Sequence, residues 1–196
     1  FLIPGLMVVI IMVVALQQTA VSLVREREQG TDEQLAISPM RRWEMMVGKV
    51  TPWTLLAFLD LAVITVVGIV FFHLPLRGST LVLALGAALF VFCSLGLGLV
   101  ISAVAPSLES ANMLGLLLSM LPAFILSGFA FPLASIPVAL QVVSCLFPAR
   151  FMVTIARGVF LKGAGFGELW PELAALGGYA VIALGIAVVL YGRRRR

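Results

Sequence analysis

The stretch Arg25–Lys49, REREQGTDEQLAISPMRRWEMMVGK, holds ten of the chain's charged residues and stands between two long apolar runs. Phe1–Val24 before it is uncharged, and Val50–Phe72 after it carries only Asp60. A charged segment enclosed this way reads as an aqueous loop joining two membrane crossings. Gly30 interrupts the helix that enters through Glu26-Arg27-Glu28-Gln29. Thr31 then caps a new helix, with Asp32 and Glu33 in its first turn, where the helix dipole favours acids. Gln34 at the third helical position completes a capping box. This short helix, Asp32 to Ile37, stops before Ser38-Pro39, since a residue preceding proline is pushed out of the helical region. Ser38 caps a further helix with Pro39 at its first position. That helix carries Arg41, Arg42, Trp43, Glu44 and Lys49, and Trp43 suits the headgroup level. Two consecutive cap signals favour this structured reading over a solvated loop with a few basic anchors.

The rest of the chain reads as membrane. Hydrophobic residues make up 62% and charged residues 11%, where a soluble domain carries roughly 25% charged. The fold class predicted is all-α: a polytopic membrane helix bundle with five transmembrane helices, a cytoplasmic loop that carries a short docking helix, and external re-entrant helices. The net charge of +4 is not a nucleic-acid signal, because the basic residues lie at segment ends, where the positive-inside rule puts them. Cys93 and Cys145 each stand alone in apolar runs and suggest neither a metal site nor a redox pair. The chain opens on Phe1 inside an apolar run, with no basic n-region, so it is not a signal peptide, and it is expected to be the C-terminal part of a longer protein.

Phe1–Val24 is the first span, and Gln17, Gln18, Thr19 and Ser22 near its end either line a polar cavity or approach the interface. Val50–Phe72 is the second. Asp60 within it must face the bundle interior, a partner or a water-filled cavity, because a carboxylate in lipid is costly. Thr80–Val104 is the third; Ser94, Gly98 and Ser102 recur every four residues and allow close helix approach, with Gly96 on a neighbouring face. They mark either helix packing or the transport pathway. Ser110–Phe131 is the fourth, with Pro122 expected to kink it and Ser119 or Ser127 to satisfy freed backbone groups. In Pro132–Phe166, Pro132, Pro137 and Pro148 cut an apolar stretch into pieces too short to span, and Arg150, Arg157 and Lys162 follow. Such pieces suggest re-entrant or interfacial helices. Leu173–Tyr191 is the last span, ahead of the Arg193–Arg196 tail. Placing Arg25–Lys49 and that tail in the cytoplasm gives five alternating crossings, with the broken segment outside.

No GxxxxGK[ST], HExxH or GxSxG occurs, so neither a P-loop nucleotide site, a zinc hydrolase nor a serine hydrolase is supported. The carboxylates of the loop alternate with Arg and Lys and read as a helix surface. Two transport classes are then open. One is a partner-driven permease. The other is a proton-coupled secondary transporter with Asp60 as carrier, which calls for more intramembrane ionisable groups and an inverted repeat.

The run Glu26-Arg27-Glu28-Gln29-Gly30-Thr31, then Glu33-Gln34-Leu35, Ser38-Pro39, Trp43-Glu44 and Gly48-Lys49, resembles the cytoplasmic loop of type-2 ABC exporter permeases, the bacterial drug, polysaccharide and lipid exporters. Leu126-Ser127-Gly128-Phe129-Ala130-Phe131-Pro132 is a second match; Phe147-Pro148 with Ala156-Arg157-Gly158-Val159-Phe160-Leu161-Lys162-Gly163 is a third. Asp32 and Arg42 depart from the family's pattern, which favours an apolar residue and a proline there. The resemblance implies spans two to six of a six-span permease in the bacterial cytoplasmic (inner) membrane. The permease would work as a homodimer or heterodimer with two ABC ATPase subunits, which would hold ATP and Mg; this chain would bind no cofactor. It further implies that Thr31 to Ile37 is the coupling helix, with Thr31, Asp32, Glu33, Gln34 and Leu35 docking on the ATPase. Glu26, Arg27 and Glu28 would form a salt-bridged elbow at the membrane edge, and the segment with Pro132, Pro148 and Arg157 would be the external re-entrant helices.

Overall fold

The computed structural model describes residues 2–30, 42–73, 77–129 and 137–194, and no strand occurs among them. In order, the helices are α1 (Leu2–Glu28), α2 (Arg42–Phe72), α3 (Thr80–Val104), α4 (Leu108–Ile125), α5 (Val138–Ser144), α6 (Pro148–Arg157) and α7 (Phe166–Arg194). A π-helical turn, Gly158–Lys162, continues α6. Helix is what long apolar runs must form in lipid, because each backbone N–H and C=O has to be satisfied within its own segment. Among the described residues, five helices are long and apolar enough to cross a membrane: Leu2–Glu28, Val50–Phe72, Thr80–Val104, Leu108–Ile125 and Phe166–Leu190. The predicted five-span, all-helical bundle is the observed one.

Several boundaries differ from the expected ones. The helix carrying Trp43 and the second span are a single 31-residue helix, α2. α4 begins at Leu108 and ends at Ile125, six residues short of Phe131, because the chain turns at Leu126–Phe129 with Gly128 at φ +81°. α7 begins at Phe166, so Glu168 and Pro171 lie in its first turns. Pro122 leaves the Leu118 carbonyl without a helix donor. The two serines expected to help instead serve Gly115 and Ala123: Ser119 donates to Gly115 O at 2.7 Å, and Ser127 donates to Ala123 O.

α1 is the hub. It packs against α4, α3, α2 and α6, while α3 lies along α7. Met12 and Leu16 of α1, Phe90 and Leu95 of α3 and Phe160 of the π turn are wholly buried between them. Small residues let α3 approach both α1 and α7 closely. A Cβ on Gly98 would stand 2.7 Å from Leu16 O, and one on Gly96 would stand 2.9 Å from Ala183 Cβ. The α2–α3 turn docks on the π turn through Gly78 N–H to Val159 O at 2.9 Å, where a Cβ on Gly78 would meet Ala164 O at 2.7 Å. α2 is the least embedded span and presents Leu55, Leu59, Val66 and Phe71 outward.

The buried hydroxyls are satisfied locally. Thr19, Ser94, Ser102, Ser119, Ser127 and Ser144 are all buried, and each donates to a carbonyl three or four residues earlier in its own chain. Such back-bonding lets a polar group sit in an apolar bundle at small cost.

Candidate functional site

Charged side chains in the described residues gather at helix ends. α1 ends at Glu28, and Gly30 follows at φ +71°. In its last turn Arg27 donates from Nη1 to Ala105 O at 3.3 Å and from Nη2 to Ser102 O. Both acceptors lie at the C-terminal end of α3, where carbonyls lack helix partners and a cation complements the dipole. Glu28 turns the other way: its Oε1 accepts the Leu108 N–H at 2.7 Å, at the first residue of α4. The rest of that N-terminus is capped by Ser107 and Ser110 in a reciprocal box, with Ser107 Oγ accepting Ser110 N–H at 3.2 Å and Ser107 N–H donating to Ser110 Oγ at 3.0 Å. Beside this turn a cavity of about 520 Å³ is lined by Val21, Arg25, Glu28, Ser107, Leu108, Glu109 and Asn112.

Deeper along the same seam, Gln17 Nε2 donates to Asn112 Oδ1 at 2.5 Å, joining α1 to α4. The exposed side of α4 next to this pair carries Met113, Leu117, Met120 and Leu121. Of the other polar residues near the end of α1, Thr19 back-bonds and packs on Gly98, while Gln18 lines a second cavity. That cavity, about 270 Å³, lies between α1 and α2 and is lined by Val14, Ala15, Gln18, Trp53, Leu56, Ala57 and Asp60. Asp60 thus faces a cavity, in a half-buried position. Ser94, Gly98 and Ser102 stand in the buried packing of α3, with Gly98 against α1.

At the opposite end of α4, Arg157 at the C-terminus of α6 donates from Nη1 to Gly128 O at 2.9 Å and from Nη2 to Phe129 O at 3.3 Å. The Leu126-Ser127-Gly128-Phe129 motif and the Ala156-Arg157-Gly158 motif are therefore in direct contact. Phe129 in turn seats on α1, where a Cβ on Gly5 would stand 2.5 Å from its ring. Pro148 is the first residue of α6, and α5 meets the α6–π segment at a bend of 91°. Arg150 closes that bend, donating to Gln141 O at 2.7 Å and Ser144 Oγ at 2.6 Å at the end of α5. The proposed docking residues Thr31, Asp32, Glu33, Gln34 and Leu35, and Pro132, lie outside the described residues.

Sequence reasoning did not single out Ser107, Ser110 or Asn112. The first two carried a readable signal, an S-x-x-S box ahead of an apolar run; the Asn112 pairing depends on α1 lying alongside α4.

An apolar bundle of five helices long enough to cross a membrane, with most of its charges at helix ends, defines a multi-pass membrane protein. The ABC-2 type transporter family model matches residues 1–161, and the chain belongs to that family. It is 31% identical over 173 residues to the probable multidrug ABC transporter permease YbhR of Escherichia coli K12, covering 88% of this chain and 47% of that protein. It is 33% identical over 163 residues to the probable multidrug ABC transporter permease YbhS of the same strain, covering 83% and 43%. Over 192 residues it is 33% identical to that strain's inner membrane transport permease YhhJ, covering 92% and 50%. The chain spans about half the length of these curated relatives.

Proposed function

We infer that the chain is the membrane-embedded part of an ABC exporter permease in the bacterial inner membrane, moving an apolar or amphipathic substrate (a drug, lipid or polysaccharide-like molecule) outward. The work is done by a separate ABC ATPase, which holds ATP and Mg and docks on the Thr31–Ile37 helix. The observation that carries this reading is the family match over residues 1–161, joined to a charged loop that issues directly from the central helix α1. Family relatives named as multidrug and transport permeases support the substrate class.

Two copies, identical or similar, form the working unit. The substrate path runs along the α1–α4 face, where the Gln17–Asn112 pair and Met113, Leu117 and Met120 lie together. Methionine-rich apolar surfaces adapt to many shapes, which suits a broad substrate range. Transport follows from alternation: the two ATPase subunits close on ATP, the docked helices are displaced, and the spans on either side shift between inward and outward states. The coupling comes from contacts that differ between those states.

Reconstitution tests the reading. Inside-out vesicles holding the full-length protein and its ATPase should accumulate an amphipathic dye when ATP is added outside, and not with a non-hydrolysable analogue. Accumulation driven by a pH gradient alone, abolished by Asp60→Asn, would instead select the proton-coupled carrier, whose one favourable observation is that Asp60 lines a cavity.

A further inference from the structure

Arg27 and Glu28 are neighbours in sequence at the last turn of α1, yet they hold two different helices. Arg27 reaches Ser102 O and Ala105 O at the end of α3. Glu28 reaches the Leu108 amide at the start of α4 at 2.7 Å. The signs fit: a cation meets the carbonyls at a negative dipole end, and an anion meets the amide at a positive one. Hydrogen bonds with an ionised partner are about twice as strong as neutral ones.

Three further observations give this pair mechanical importance. Only Ala105–Ser107 separate α3 from α4, so a hold on both ends of that turn fixes its position. α1 and α4 are parted at this level by the cavity of about 520 Å³, and the apolar contact beside it is a cluster of small side chains, Val24, Ala105 and Ala111, with Leu108. Small apolar side chains slide past one another more easily than charged hydrogen bonds exchange. Finally, the loop leaves α1 at Gln29–Gly30, one residue beyond Glu28, so displacement of the loop is applied at the clamp.

We propose that Arg27 and Glu28 are a positioning pair that makes the α3–α4 turn move with the end of α1, so that displacement of the segment 29–41 reaches α4 through them. This rests on the exporter reading above, in which that segment is the driven element. α4 then receives the push at its N-terminus, while its far end is held to α6 by Arg157 through Gly128 and Phe129. A helix driven at one end and anchored at the other tilts, and α4 carries the face assigned to the substrate path.

The test uses the full-length protein with its ATPase in lipid vesicles, wild type beside Arg27→Met/Glu28→Ala, Glu28→Gln and the exchange Arg27→Glu/Glu28→Arg. ATPase retention, ATP turnover and substrate moved per ATP are read for each, on preparations that run as a single species in gel filtration. Arg27→Met/Glu28→Ala should keep the ATPase and go on hydrolysing ATP, while substrate moved per ATP falls by about tenfold or more, the scale of losing charged hydrogen bonds. The exchange places like charge on each dipole end and should be at least as severe. Glu28→Gln keeps an acceptor at the Leu108 amide and should restore most of the coupling. Unchanged substrate per ATP in the double variant overturns the proposal. Loss of the ATPase from that variant also overturns it, because the pair would then belong to the docking surface. Failure of the wild type itself to retain the ATPase overturns the exporter reading and this transmission role with it.

Discussion

Glu28 accepts the Leu108 amide proton at 2.7 Å across 80 residues of sequence, and so ties the end of the first described helix to the start of the fourth. The same arrangement recurs through the bundle: Arg27 on the end of α3, Arg150 on the end of α5 and Arg157 on the turn after α4. In an apolar bundle, helix ends are where backbone groups lack partners, and this chain spends its few charges there.

Gly98 sets the distance between α1 and α3. Gly98→Ala places a methyl group 2.7 Å from Leu16 O and 2.8 Å from Thr19 Cβ, so one backbone must shift. The expected loss is about 1–3 kcal/mol of stability, the usual range for overpacking a well-filled core. Gly185→Ala, with open space around it, is the control and should be neutral or slightly stabilising. Thermal unfolding in detergent, comparing the two variants, checks this.

The Gln17–Asn112 hydrogen bond joins α1 to α4 within the first turns of α4. A double-mutant cycle with Gln17→Leu and Asn112→Leu should give a coupling energy of about 0.6 kcal/mol and no more than about 1.7, as for other interhelical hydrogen bonds in membranes. Broadened substrate selection in the same variants would place the pair on the substrate path; an unchanged substrate profile would remove it.

Arg157 bridges two successive carbonyls with two nitrogens of one planar group. A lysine ammonium is a point donor and cannot reproduce that fork. Arg157→Lys and Arg157→Met should both speed hydrogen exchange in the segment Leu126–Phe129, by about tenfold for the methionine variant. Exchange unaffected by either substitution would mean that Ser127, which accepts the Phe129 amide at 3.2 Å, holds the turn alone.

The five spans were legible because apolar runs of that length have one stable form in lipid, and the break at Gly30 because only glycine enters its φ of +71° readily. Their ends were less so. The fourth span was expected to reach Phe131, but Leu126 and Phe129 are apolar because they are buried against protein in a turn; hydropathy cannot tell that from lipid contact. Its start is expected at Ser110, whereas the Ser107–Ser110 box begins the helix at Leu108. The last span is expected at Leu173, because Glu168, Pro171 and Glu172 resemble an interface, yet Glu168 stands in the first turn, where the dipole favours acids, and Pro171 lies inside the helix. The roles of Arg27, Glu28 and Arg157 could not be read at all beyond resemblance, because their partners lie 28 to 80 residues away and depend on how the helices pack.

Asp60 tests the competing class. In an ATP-driven exporter Asp60→Asn should leave ATP-dependent accumulation in vesicles essentially intact and create no new dependence on a pH gradient. Loss of accumulation with the ATPase still bound and active would assign Asp60 to the transport step itself.

The most direct measurement is co-purification of the full-length protein with its ATPase, wild type beside Glu33→Arg. Reversing the charge at Glu33 in the proposed docking segment Thr31–Ile37 should release the ATPase while the permease still runs as a folded, monodisperse species. Full retention of the ATPase by Glu33→Arg, or no retention by the wild type, would contradict the docking of an ATPase on that segment.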